Sequence, residues 1–110
     1  MASYRIYHNP RCKKSRETLA LLEADGITPE IILYLQDGVT ETELAKLEIL
    51  LGTDLSNFVR KKETAYKPLT GKALRKLVSQ HPILLERPIV IKDNKKAVLG
   101  RPPENVRTLL

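Results

Sequence analysis

The chain has 110 residues, of which 42% are hydrophobic and 29% charged, with five Gly and seven Pro. That suffices for one domain with its own core and excludes collagenous, disordered and low-complexity classes. Its net charge of +6 is unevenly spread: residues 17–59 hold one base against nine acids, and the remaining positions hold 18 bases against four acids.

Tyr4-Arg5-Ile6-Tyr7 is rich in β-formers and is cut off by His8-Asn9-Pro10, which predicts a short first strand. Apolar residues at helical spacing, Leu19 and Leu22 among them, predict a helix over Lys13–Ala24 that Gly26 stops. The continuous run Ile31-Ile32-Leu33-Tyr34 after Pro29 reads as a strand buried on both faces. Such a β-α-β opening favours a parallel pair with a right-handed crossover. Thr40-Glu41-Thr42-Glu43 matches a capping box, followed by a stripe of Leu44, Leu47 and Leu51 up to Gly52. Asp54 is placed to cap a short helix with Leu55, Phe58 and Val59. Thr70 is placed to cap another, with Leu74, Leu77 and Val78 inward, which ends before Pro82 because proline disfavours helical geometry at His81. Ile89-Val90-Ile91, the turn Asp93–Lys96 and Ala97-Val98-Leu99 form a predicted hairpin, and a last short helix starts near Pro102-Pro103. The order predicts a single domain over residues 1–110, an α/β fold with a mixed four-stranded sheet.

Cys12 stands where the first strand hands over to the first helix. Unpaired amides and the helix dipole favour a thiolate there, and Arg11, Lys13, Lys14 and Arg16 add positive potential with no acid before Glu17. A lone cysteine is often a small buried hydrophobe, but flanking bases and a proline turn oppose burial here. Ser15 is placed to turn its hydroxyl toward the sulfur. His8 either assists the thiolate or simply closes the strand. With one Cys and two His, no transition-metal site is expected and no internal disulfide is available.

The bases fall in three clusters: Arg5 to Arg16, Arg60 to Lys76, and Arg87 to Arg107. A fold that gathers them builds an anion site. Four Tyr and one Phe offer little for base stacking, and no recognition signature is present, so a small oxyanion fits better than nucleic acid. No apolar run approaches the roughly 18 residues that span a bilayer, and residues 1–10 hold no secretory hydrophobic stretch. The expectation is a cytoplasmic monomer without membrane association.

His8-Asn9-Pro10-Arg11-Cys12-Lys13-Lys14-Ser15-Arg16-Glu17-Thr18-Leu19 resembles the active-site loop of the glutaredoxin-dependent arsenate reductase family. Phe58-Val59-Arg60-Lys61, the stretch from His81 to Val90 and Leu99-Gly100-Arg101-Pro102 resemble its three arginine motifs, in the right order. The resemblance implies a thioredoxin-like fold with flanking helices and a helical insertion at about residues 40–68. It further implies that Arg60, Arg87 and Arg101 surround Cys12 and hold an oxyanion, and that Pro88 follows a cis bond facing the cysteine. The implied reaction is attack of the Cys12 thiolate on arsenate, with glutathione as reducing co-substrate and a glutaredoxin completing the release of arsenite. No tightly bound cofactor is implied. Since Cys12 is the only cysteine, the resolving thiols come from other molecules. Two other readings share these residues: a glutathione-linked thiol redox protein that does not act on arsenate, and a non-enzymatic regulator resembling the Spx proteins. Ser15, where those regulators carry a second cysteine, opposes the latter.

Overall fold

Alternation along the strands decides which face of the sheet each residue serves. In the computed structural model of the protein, which describes residues 2–110, the strands are β1 (Tyr4–Tyr7), β2 (Glu30–Ile32), β3 (Ile89–Lys92) and β4 (Lys96–Leu99). They form one sheet in the order β2-β1-β3-β4. β1 is parallel to β2 and antiparallel to β3, and β3 is antiparallel to β4. Ile6 and Val90, paired across β1 and β3, point to one face, where Leu22, Val106 and Leu109 cover them. Tyr7, Ile89 and Ile91 point to the other, into a larger core with Leu44, Leu47, Leu74 and Leu77.

The first face is covered by α1 (Lys13–Ala24) and a 3-10 helix at Pro103–Leu109, the second by α3 (Glu41–Leu51) and α4 (Gly71–Gln80). The expected α/β architecture with a mixed four-stranded sheet and flanking helices is therefore present. α3 starts on the expected capping box: Thr40 Oγ1 accepts from the Glu43 N–H at 3.0 Å while Glu43 Oε1 accepts from the Thr40 N–H at 3.1 Å. Between α3 and α4 the chain forms a 3-10 turn at Leu55–Asn57 and then runs beside residues 84–86. The Arg60 N–H donates to the Leu84 carbonyl at 2.7 Å, and the Glu86 N–H to the Phe58 carbonyl at 3.0 Å. This short antiparallel pairing, with Val59 opposite Leu85, brings Arg60 and Arg87 to the same end of the sheet.

Three expectations are corrected. The predicted strand at 31–34 ends at Ile32; Tyr34 instead opens a one-turn helix, α2 (Tyr34–Asp37), which Gly38 terminates at φ 83°. β2 is an edge strand with Ile31 exposed, so the apolar run is explained by Tyr34 turning into the core and not by burial on both faces. Neither Asp54 nor Thr70 makes a capping hydrogen bond. The Glu48 carboxylate takes over at the first of these ends, accepting from the Leu55 N–H at 2.9 Å through Oε2 while Oε1 accepts from Arg75 Nη1 at 2.8 Å. One acid from α3 thus secures both the 3-10 turn and α4. The last helix is of the 3-10 type throughout.

Gly100 marks a close approach of α1 to the segment after β4. A Cβ there would lie 2.6 Å from Thr18 Oγ1 and 2.8 Å from Pro88 Cγ. Gly100→Ala is expected to lower stability by about 1–3 kcal/mol in urea unfolding, as overpacking of a filled interior does. Adding Thr18→Ala should restore part of the loss; full additivity of the two changes would show that the contact does not matter.

Candidate active site

The turn His8–Cys12 is built to end a strand and start a helix. The His8 N–H donates to the Ile32 carbonyl and the Cys12 N–H to the Asn9 carbonyl, each at 3.0 Å, and the Asn9 side chain accepts from the Arg11 N–H at 3.0 Å. Cys12 then takes the N-cap position of α1 in extended geometry, its carbonyl accepting from the Arg16 N–H at 3.0 Å. The thiol is half-buried and free.

Partial burial pushes the Cys12 pKa up, and the Ser15 backbone N–H, the Arg87 guanidinium and the Lys14 backbone N–H together outweigh it, holding the thiol below its ordinary range. These amides act as dipoles aimed at the sulfur without making a capping hydrogen bond of regular geometry. Ser15 therefore reaches the sulfur through its backbone. Its hydroxyl, expected to face the thiol, accepts from the Asn9 N–H at 3.1 Å and lies 2.6 Å from His8 Nδ1. Burial, and then the charge of Arg16, hold His8 below the ordinary histidine range, so the ring is neutral at neutral pH. His8 and Ser15 thus form a buried pair that fixes the loop from behind.

The arginines are placed differently from one another. Arg87 is 7% exposed and forms no ion pair among the described residues; its Nη1 donates to the Ile83 carbonyl at 3.4 Å and its Nε has no partner. Arg101 approaches the thiol directly, with Nη1 3.9 Å from Cys12 Sγ and 3.1 Å from the Arg87 carbonyl oxygen. Its loop is pinned by Asn105 Nδ2, which donates to the carbonyls of Leu99 and Arg101. Arg60 Nε donates to Glu63 Oε1 at 3.1 Å. The Arg87–Pro88 bond is cis, and so is Arg101–Pro102. No group of three His, Cys, Asp or Glu among the described residues is arranged to hold a metal.

Sequence reasoning missed two carboxylates that sit among these cations. Glu63 pairs with Arg60, and Glu86 Oε2 lies 3.3 Å from Arg101 Nε, an ion pair too poorly aligned for a hydrogen bond. The first had a readable signal in its three-residue spacing from Arg60. The second had none, because Arg101 is distant in the chain. Tyr34 was missed as well: its ring is fully buried and its hydroxyl lies within the electrostatic reach of Arg87, Cys12 and Arg60.

A thiol whose folded pKa is depressed adds stability that is fully present above the unfolded value of about 8.5 and is lost as pH falls through the folded value. Relative to Cys12→Ser, the protein should therefore gain stability with rising pH up to about 8.5 and be flat beyond. The pH profile of Cys12 alkylation should bend below the free-thiol range, and an inflection near 8.5 would contradict the activation.

The comparison with known proteins matches this arrangement to a family. Residues 7–109 match the ArsC family. The chain is 48% identical to the arsenate reductase of Haemophilus influenzae, over 96% of this chain and 97% of that one. It is 44% identical to the Escherichia coli protein YfgD, whose name states no activity, over 93% and 92% of the two chains. Among solved structures, the arsenate reductase from Vibrio cholerae superposes with a TM-score of 0.90 at 43% identity, covering 98% of each chain. With the match running from the first strand to the last helix, the chain belongs to the ArsC family and has its thioredoxin-like fold.

Proposed function

We propose that this chain reduces arsenate to arsenite, using the Cys12 thiolate as nucleophile and external thiols as reductant. The observation that carries the reading is the Arg87 guanidinium, buried beside an activated thiol and forming no ion pair with a carboxylate among the described residues. A buried cation paired with no carboxylate is a binding site for an anion, and a guanidinium fork suits a tetrahedral oxyanion. Family membership and the names of the relatives support arsenate as that anion.

In this mechanism Arg60, Arg87 and Arg101 hold the oxyanion while Cys12 attacks arsenic, forming a sulfur–arsenic bond and expelling an arsenate oxygen as water or hydroxide. Glutathione then attacks the Cys12 sulfur, breaking the sulfur–arsenic bond so that arsenic leaves with the bonding pair as arsenite, and a glutaredoxin thiol takes up the glutathionyl group and frees the Cys12 thiolate. Two thiols are oxidised to one mixed disulfide, arsenic gains two electrons, and one arsenate oxygen leaves as water. His8 and Ser15 support the thiolate by fixing the loop whose amides face it. A groove of about 370 Å³ lies beside the loop, between Pro10, Arg11, Leu33 and Leu35. Every group comes from one chain, so a monomer suffices, and the need for reduced thiols favours the cytoplasm.

The test is a coupled assay with glutathione, glutaredoxin and arsenate, repeated without arsenate. Cys12→Ser should abolish turnover in a folded protein. Each of Arg60→Lys, Arg87→Lys and Arg101→Lys keeps the charge but loses the fork, and should lower kcat/KM about five- to a hundred-and-fifty-fold. Neutralising Lys95 on the β3–β4 turn or Lys96 at the start of β4, both exposed, should change it little. Equal losses from lysine and arginine changes would point to diffuse steering and reject the three-arginine site. Thiol turnover that is independent of arsenate would favour a general glutathione-linked redox protein.

A further inference from the structure

Lys13 and Lys14 are the first two residues of α1, directly after Cys12, and both are exposed. For the fold this is a poor place for a base. A helix start carries the positive end of the dipole, so cations there destabilise the helix and acids stabilise it. The first turn of α1 holds no acid, and Arg11 and Arg16 add like charge on either side.

The neighbouring arginines are accounted for within the protein. Arg16 Nη1 donates to the Pro10 carbonyl at 3.0 Å, Arg60 and Arg101 pair with Glu63 and Glu86, and Arg87 is buried. Lys13 and Lys14 form no ion pair among the described residues. Two bases that weaken their own helix therefore stand in solvent beside the half-buried thiol that outside reagents have to reach.

The second step of the proposed reaction gives these bases a use. A thiolate attacks the Cys12 sulfur while arsenic is still bonded to it, so an anion approaches an anion. The three arginines are by then occupied with the oxyanion. Ammonium groups on flexible stems at the mouth offset the repulsion, and they favour a thiol whose own carboxylates they meet. We infer that Lys13 and Lys14 recognise the resolving thiol, selecting one that carries more carboxylates than amines, as glutathione does, over neutral and cationic thiols. The assignment rests on the reading above, in which external thiols resolve Cys12, and names the chemistry of the first of them.

The experiment isolates that attack from arsenate. Cys12, the only cysteine, is converted with dithiobis(nitrobenzoate) to a mixed disulfide. An added thiolate attacks the Cys12 sulfur, a new disulfide forms, and nitrothiobenzoate leaves with the bonding pair and is read by its absorbance. Rates per thiolate are measured for glutathione, mercaptoethanol and cysteamine, with wild type, the double variant Lys13→Gln/Lys14→Gln and the control Lys95→Gln/Lys96→Gln. The expected wild-type order is glutathione, then mercaptoethanol, then cysteamine. In Lys13→Gln/Lys14→Gln, glutathione should slow about fivefold or more, mercaptoethanol should stay within about twofold, and cysteamine should speed up. Added salt should shrink the glutathione advantage of wild type.

An unchanged glutathione rate in Lys13→Gln/Lys14→Gln overturns the assignment. Equal slowing of mercaptoethanol also overturns it, because the lysines then act on the sulfur and not on the thiol's carboxylates. Equal slowing in Lys95→Gln/Lys96→Gln reduces the effect to net charge and overturns it as well. If the rate pattern holds but the coupled assay shows no arsenate-dependent turnover, the arsenate function falls and the thiol recognition stands.

Discussion

A guanidinium that is nine-tenths buried and pairs with no carboxylate among the described residues has lost most of its water, and what the Cys12 thiolate beside it does not offset the protein around it has to bear. Arg87 is held in this state because its backbone belongs to the core. Leu84, Leu85, Pro88 and Ile89 on either side of it are all buried, and the segment is clamped by hydrogen bonds to Phe58 and Arg60. Apolar packing in the two cores thus maintains an electrostatic arrangement that would not persist by itself.

The same burden explains the neighbouring thiol. A sulfur close to an uncompensated cation is worth more as an anion than as a neutral group, and the amides at the start of α1 push in the same direction. The loop has to keep those amides aimed, which is the work of the interior His8–Ser15 contact and of Asn9. Polar groups that look catalytic in the sequence are thus divided by the fold into those that face the anion and those that hold the loop from inside.

Much of this was legible in the sequence where the chemistry is local. The strand and helix flanking Cys12, the Thr40–Glu43 capping box and the β3–β4 hairpin depend on residues a few positions apart, and they stand where expected. What depends on distant partners was harder to read. Glu48 replaces the cap offered by Asp54, and ties Arg75 of α4 to the same carboxylate, only because α3, the 3-10 turn and α4 meet. Tyr34 ended an apolar run and looked like one more strand residue; nothing nearby in the chain says that its oxygen reaches Arg87. The clustering of bases into three segments was visible, yet only the family resemblance singled out Arg60, Arg87 and Arg101 from the lysines beside them. Composition has no means of separating a fork that faces a thiol from a charge that faces water.

The carboxylates paired with two of those arginines have one more consequence. Glu86 and Glu63 already occupy part of the charge on Arg101 and Arg60, so an incoming anion competes with anions that are tethered and always present. A singly charged ion such as chloride gains little by displacing one of them, since it exchanges one negative charge for another and loses its own hydration. A doubly charged tetrahedral ion engages Arg87 in full and still has charge left to draw the other two forks away from their glutamates. Under the proposed function, the tethered acids therefore weaken the binding of monovalent anions relative to multivalent tetrahedral ones.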